Sequence, residues 1–233
     1  MSGRTIAFIL TGLLSSSVTL PPTSVTLPFA SVTSQSLVIV ALGDSTTAGT
    51  PKHKSPLEAP PNGSGDEKSD YTYWIRRAHP DWQILNRGVN GERSDQIAAR
   101  FARDVAAVKP AAVVILAGVN DVYQGRAIED VTGRLERMYD DAAHVGIKVV
   151  AATIVPYNTA TPEQNAKMHA INQWIADYAA RDPNVELADT RKAAASLDNR
   201  DKLAGSPDGL HPDVNGYRRM GEAIEAVLVK LFK

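Results

Sequence analysis

The sequence predicts a three-layer α/β/α domain built around a five-stranded parallel sheet. Short, continuous apolar runs recur five times along the chain, the pattern of strands covered on both faces. Amphipathic helical segments separate them, as parallel strands require, because each crossover must bring the chain back to the same end of the sheet. The length, 233 residues with 43% hydrophobic side chains, suits one fairly large globular domain.

The first strand is Leu37-Val-Ile-Val-Ala-Leu42, and similar runs follow at Gln83–Asn86, Ala112–Ala117, Ile147–Thr153 and Val185–Ala188. Between the second and third runs, Ser94 is the expected N-cap of a helix to Val108, with Ile97, Phe101, Val105 and Val108 on one face. A helix over Asp130–Val145 should stop at Gly146, a natural residue for the left-handed C-terminal position. Pro162–Arg181 carries Met168, Ile171, Ile175 and Tyr178 at helical spacing. The last helix is expected over Pro212–Phe232, with proline in its first turn and Met220, Ile224, Val227, Leu228 and Leu231 inward. The periodicity does not encode strand order. The simplest solution is the flavodoxin-like order 2-1-3-4-5.

Two stretches stand outside this alternation. Residues 1–36 carry no charge after Arg4, and Ile6–Leu14 is apolar but too short to span a bilayer. It reads as the core of an export signal, with a misplaced start codon as the alternative. Ser-Val-Thr recurs at Ser17, Ser24 and Ser31 among prolines, as in an extended linker. A secreted or periplasmic protein is therefore expected, with the folded domain over 37–233. Thr50–Asp70 is long, polar and rich in Pro and Gly. Loops of this kind are either functional or solvated insertions, and in the first case its polarity would favour a carbohydrate leaving group.

Composition excludes several function classes. Twenty-five basic against 26 acidic residues give a net charge of −1, which argues against a nucleic-acid partner. No stable membrane insertion is expected. With no cysteine, disulfides, thiolate metal sites and a Cys nucleophile are impossible. His53, His79, His144 and His169 lack metal-ligand spacing and read as surface or packing residues. No metal and no cofactor are expected, and the sequence is silent on oligomeric state.

Ligands of an open parallel sheet bind beyond the carboxyl ends of its strands, and short polar motifs stand there. Gly43-Asp44-Ser45 follows the first run, Asn86-Arg87-Gly88 ends the second, Gly118-Val119-Asn120-Asp121 ends the third, and Asp208-Gly209-Leu210-His211 precedes the last helix. Ser45 can act as a nucleophile if His211 takes its proton, and Asp208 can fix the imidazole. The backbone N–H groups of Ser45 and Gly88 and the Asn120 amide can stabilise an oxyanion. Each motif has a simpler explanation as a turn or cap; the combination is what points to hydrolysis. Asp44 and Asp121 read as structural, and Asp189, after the fifth strand, is a rival for the acid role.

The set Gly-Asp-Ser, Gly88, Gly-x-Asn-Asp and Asp-x-x-His resembles the four blocks of the SGNH (GDSL) hydrolases over the whole domain. The resemblance implies a serine esterase without cofactor, with Ser45, His211 and Asp208 as the triad and Ser45, Gly88 and Asn120 as the oxyanion hole. Thr46, Tyr123 and Tyr157 are the expected substrate contacts; Trp74 reads as packing. Without a long apolar lid, short-chain or acetyl esters are expected, and a carbohydrate O-deacetylase, lysophospholipase or thioesterase are alternatives. A non-catalytic binding module would be expected to have lost a triad residue. A nucleotide-binding protein would need a glycine-rich phosphate loop that the Gly43 region lacks.

Overall fold

The computed structural model describes residues 36–233, together with Met1, Gly3 and Thr5; apart from these three and Ser36, the signal-like segment and linker expected over 1–36 lie outside the described residues. The main sheet contains β1 (Val38–Gly43), β4 (Gln83–Gly88), β5 (Ala112–Leu116), β6 (Lys148–Ala152) and β7 (Val185–Ala188). All pairs are parallel, in the order β4-β1-β5-β6-β7. Counting sheet strands alone, this is the expected 2-1-3-4-5. Strands β2 (His53–Lys54) and β3 (Ser64–Gly65) form a separate antiparallel hairpin.

Side-chain alternation along β1 divides the core into two layers. Val40 and Leu42 face α3 (Ser94–Ala99), α5 (Ile128–His144) and α6 (Pro162–Arg181), packing with Ile97, Leu135, Met138 and Ile171. Ile39 and Ala41 face α2 (Tyr71–Ala78) and α8 (Val214–Leu231), packing with Tyr71, Ile75, Met220 and Ile224. Both faces are thus covered, which is why β1 and β5 read as uninterrupted apolar runs.

Three helix expectations change in detail. The helix expected over Ser94–Val108 breaks after Ala99 and resumes as a π-helical turn over Ala102–Ala106. The break falls at Arg100, which is buried and donates from Nη2 to Gly43 O at 2.8 Å and from Nη1 to Asp104 at 2.8 Å. Inserted π-turns of this kind alter which side chains face inward. Ser94 is not the cap: its N–H and hydroxyl both donate to Asp121, each at 2.8 Å. The last helix begins after Asp213, whose carboxylate accepts from Gly216 N at 2.7 Å, so Pro212 lies before the cap. Gly146 does follow α5 with φ +75°.

Candidate active site

Chain order places β1 between β4 and β5, so the crossovers leave its carboxyl end on opposite sides. This is the topological switch point where such sheets open a crevice. Directly beyond it lies α1 (Ser45–Ala48), a single turn capped by Asp44, whose Oδ1 accepts from Thr46 N at 2.9 Å. Ser45 is its first residue. The turn fits only because its neighbours are glycine. A Cβ on Gly43 would lie 2.2 Å from Thr47 Oγ1, and one on Gly88 2.1 Å from Ala48 N.

The Asp208–His211 turn meets Ser45 from the other side. Asp208 Oδ2 pairs with His211 Nδ1 at 2.7 Å, and His211 Nε2 lies 2.9 Å from Ser45 Oγ. The three residues expected to act together are brought into one hydrogen-bonded line. Asp208 Oδ1 also accepts from the backbone N–H groups of Leu210 and His211, both at 2.9 Å. Burial works to raise the Asp208 carboxyl, but the bonds from the His211 ring and from these N–H groups outweigh it and hold the carboxyl below its ordinary value. Asp189 is occupied elsewhere: it caps α7 (Thr190–Ala194) and accepts from Thr153 Oγ1.

The scaffold carboxylates behave in the opposite sense. Burial pushes Asp44 up to about 7, against the lowering influence of the Thr46 N–H. Its Oδ2 is buried without a partner among the described residues. Asp121 is likewise raised, by burial, although both Ser94 donors oppose the shift. Environment thus separates Asp208, whose carboxyl is held below its ordinary value by its donors, from Asp44 and Asp121, whose carboxyls burial raises.

Gly88 does not occupy its expected place. Its N–H donates to Asn86 Oδ1 at 2.9 Å, and the residue is buried against α1. Glycine is required there for helix–strand contact, not for approach of a substrate. Asn120, on α4 (Val119–Tyr123), lies in the same cleft wall as Ser45 and His211. One Nδ2 hydrogen goes to Glu92 O at 2.8 Å, leaving the second for the cleft. Gly91, which the sequence reading passes over, sits at φ +78° in the turn closed by Glu92 N to Val89 O, with no acceptor for its N–H among the described residues. A glycine following Asn90 in an exposed turn was the available signal.

Ser45 and His211 open into a cleft of about 190 Å³ walled by Thr46, Asn90, Val119, Tyr123, Tyr157 and Leu210. Thr46, Tyr123 and Tyr157, the expected substrate contacts, therefore line it. Trp74 does not; it donates to Lys68 O from α2 and sits under Arg218. A larger cavity, about 590 Å³, runs along Phe101, Arg134 and His144 but contains none of these reactive groups. Among the described residues no group of three His, Asp or Glu side chains is arranged to hold a metal ion, and no helix is long and apolar enough to cross a membrane.

The Thr50–Asp70 segment lies behind the cleft and contributes no wall residue. His53 Nδ1 bonds Ala48 O at 2.9 Å, Ser55 Oγ donates to Gly88 O at 2.6 Å, and Glu58 Oε1 accepts from Asn90 N at 2.8 Å. The segment braces the Ser45–Ala48 turn and the Gly88–Asn90 loop, and a direct role in choosing a carbohydrate leaving group is not supported.

The model of the GDSL-like lipase/acylhydrolase family matches residues 41–219. The chain belongs to this family. Among solved structures, a G-D-S-L family protein from Desulfitobacterium hafniense is 25% identical, with TM-score 0.67 over 82% of this chain and 99% of its own. A GDSL-like lipase from Bacteroides thetaiotaomicron is 22% identical, with TM-score 0.68 over 84% and 89%. A variant of an acetyl-xylooligosaccharide esterase from Geobacillus stearmophilus is 20% identical, with TM-score 0.62 over 80% and 91%. No curated protein matches the chain by sequence. GDSL membership implies ester hydrolysis as the general activity; the particular ester does not follow from it.

Proposed function

We propose that the protein is a serine esterase that cleaves short-chain or acetyl esters through an acyl-enzyme. The observation that carries this reading is the unbroken line from Asp208 Oδ2 through His211 to Ser45 Oγ, at 2.7 and 2.9 Å. Asp208 accepts from Nδ1–H, which leaves Nε2 as the base. His211 takes the hydroxyl proton as Ser45 attacks the carbonyl, then passes it to the departing alkoxide. Water repeats the sequence on the acyl-enzyme and regenerates Ser45.

The developing oxyanion is received by the Ser45 N–H at the open start of α1, the free Asn120 Nδ2 hydrogen and the Gly91 N–H, which takes the role expected of Gly88. One such donor contributes roughly 3 kcal/mol to the transition state. The small cleft, with Val119, Tyr157 and Leu210 in its wall, suits a short acyl group. A second reading of the leaving group rests on Tyr123. The residue is 59% exposed and lines the cleft, and its ring offers a flat apolar face on which a sugar ring can lie, so an acetylated saccharide is the favoured alternative to a simple alkyl ester.

The deciding experiment is turnover of p-nitrophenyl esters of two to eight acyl carbons and of acetylated xylan, with Ser45→Ala beside the parent. Loss of turnover with unchanged folding is expected, together with a preference for the shortest chains. Full activity in Ser45→Ala would end the proposal, and a parent inert on every ester would favour a non-catalytic binding module.

A further inference from the structure

The carbonyl oxygen of Gly43, two residues before Ser45, is a meeting point of polar contacts behind the cleft. It accepts from Val89 N at 3.1 Å and from Arg100 Nη2 at 2.8 Å. Val89 opens the turn that carries Gly91, and Glu92 closes it by donating its N–H to Val89 O. The far end of that turn returns to the same guanidinium, because Arg100 Nε donates to Glu92 Oε2 at 2.7 Å. Glu92 O in turn accepts from Asn120 Nδ2 at 2.8 Å. The contacts form a closed ring from Gly43 through Val89, Glu92 and Arg100 back to Gly43.

Charge buried in the fold holds this ring together. Arg100 is buried and Glu92 largely so. Arg100 Nη1 donates to Asp104 Oδ2 at 2.8 Å, and Asp104 Oδ1 accepts from Arg103 Nε at 2.7 Å, so two cations face two carboxylates. Asp104 lies on the π-helical turn over Ala102–Ala106, and insertions of that kind are frequent at functional sites. A buried ion pair adds little net stability over well-packed apolar side chains. What it supplies here is direction. The guanidinium is a rigid planar fork, so Gly43 O, Glu92 and Asp104 are held on three segments at set angles to one another. Neither Arg100 nor Glu92 belongs to the wall of the cleft.

We infer that the Arg100–Glu92 pair positions the oxyanion donors, setting the Gly91 N–H and the Asn120 amide against the Ser45 turn. The inference rests on the esterase reading and deepens it. Every donor is close to the ring: Ser45 follows Gly43 by two residues, Gly91 precedes Glu92, and Asn120 is bonded to Glu92 O. Arg100 and Glu92 are therefore positioning residues that act through these groups. The donors must match the oxyanion of the transition state, not the ground-state carbonyl. Loosening the ring should thus lower kcat and leave KM nearly unchanged. Glu58 also holds the turn, through Asn90 N at 2.8 Å, so the loss should be partial.

Glu92→Ala opens the ring and leaves the Arg100 bonds to Gly43 and Asp104 in place. On p-nitrophenyl acetate, kcat per folded molecule should fall about thirtyfold, less than the roughly 100-fold or greater cost of deleting a donor. KM should stay within about twofold of the parent. A trifluoromethyl ketone gives a second readout: Ser45 Oγ adds to its carbonyl carbon, His211 takes the proton and the ketone oxygen becomes the oxyanion. Its affinity should weaken by a similar factor. Glu92→Gln keeps an acceptor at the same reach and should restore kcat to within about threefold. Should the alanine variant fail to fold, Glu92→Asp, with its charge kept and its reach shortened, carries the test at about a tenfold loss. Parent-like kcat and inhibitor affinity in these variants, or a rise in KM alone, would overturn the inference and leave the esterase reading standing. A parent inert on every ester, or a fully active Ser45→Ala, would overturn both.

Discussion

The two halves of the candidate site are held by opposite means. Ser45 stands on a turn locked into the sheet: Gly43 and Gly88 let α1 press against the strands, Arg100 ties Gly43 O to Asp104, and Ser45, Thr46 and Thr47 are all buried. His211 stands on a partly exposed turn outside any element, held mainly by its own hydrogen bonds through Asp208 and Ser206. The position of Ser45 is thus a consequence of core packing, and that of His211 of local polar geometry. Changes in the packing that holds Ser45, as opposed to Ser45 itself, should cost stability before they cost chemistry. Changes on the His211 side should do the reverse.

The sharpest separation comes from His211→Ala. The proposed mechanism predicts a loss in kcat of about 10⁴-fold or more. Because the ring bonds only Asp208 and Ser45 and belongs to no core layer, the thermal midpoint should move by no more than a few degrees. Steady-state kinetics beside a melting curve measures both. A large loss of stability with it would erase the distinction between the halves.

Asp44 and Asp208 should also answer pH in opposite directions. Between about pH 4 and the raised value of about 7, folded Asp44 keeps a proton that the unfolded chain has released. Its contribution to stability is therefore full below the unfolded value and is lost as pH rises through 7. Asp208 is lowered, so its contribution is present above the unfolded value and is lost as pH falls through the folded one. Asp44→Asn removes the first dependence. Relative to the parent, the variant should gain roughly 4 kcal/mol between pH 4 and pH 8, measured by denaturant unfolding at both. A constant difference between parent and variant would show that Asp44 is charged throughout.

Gly88→Ala distinguishes packing from catalysis at a single residue. A methyl group 2.1 Å from Ala48 N meets backbone, which has no side chain to rotate away, so a loss of about 3 kcal/mol is expected. Gly91→Ala meets no atom within 4 Å and faces only its positive φ. Denaturation midpoints for the pair give the comparison. Equal stability loss at both positions would remove the assignment of Gly88 to packing.

Much of this was legible in the sequence because the strands of a doubly covered sheet are continuous in composition. The five runs, the helices between them and the motifs at strand ends required only periodicity and the rule of carboxyl-end binding. Details that depend on a polar side chain turning inward were not legible. Arg100 looks like a surface residue of an amphipathic helix, yet it breaks that helix to reach Gly43. The role of Gly88 was misread because sequence shows that glycine is needed without showing what approaches it. His53, Ser55 and Glu58 act across 5 to 33 positions of chain, beyond the reach of any local pattern.

Ser206 is the last such residue, and it gives the smallest and most specific test. Its hydroxyl donates to His211 O at 2.6 Å and accepts from Gly209 N at 2.8 Å, closing the turn from Asp208 to His211. It touches neither Ser45 nor the cleft, so it is a positioning residue. Without the hydroxyl, both the imidazole and its carboxylate gain freedom. Ser206→Ala should lower kcat by about tenfold, equivalent to about 1.4 kcal/mol, with little change in KM. Stability should fall by about 1 kcal/mol, the usual worth of a partly exposed hydrogen bond. Ser206→Thr keeps the hydroxyl and should restore kcat. A purely structural residue would instead lower the amount of folded protein and leave kcat per folded molecule intact. That outcome would mean that Asp208 alone, with its bonds to the Leu210 and His211 N–H groups, is enough to aim the base.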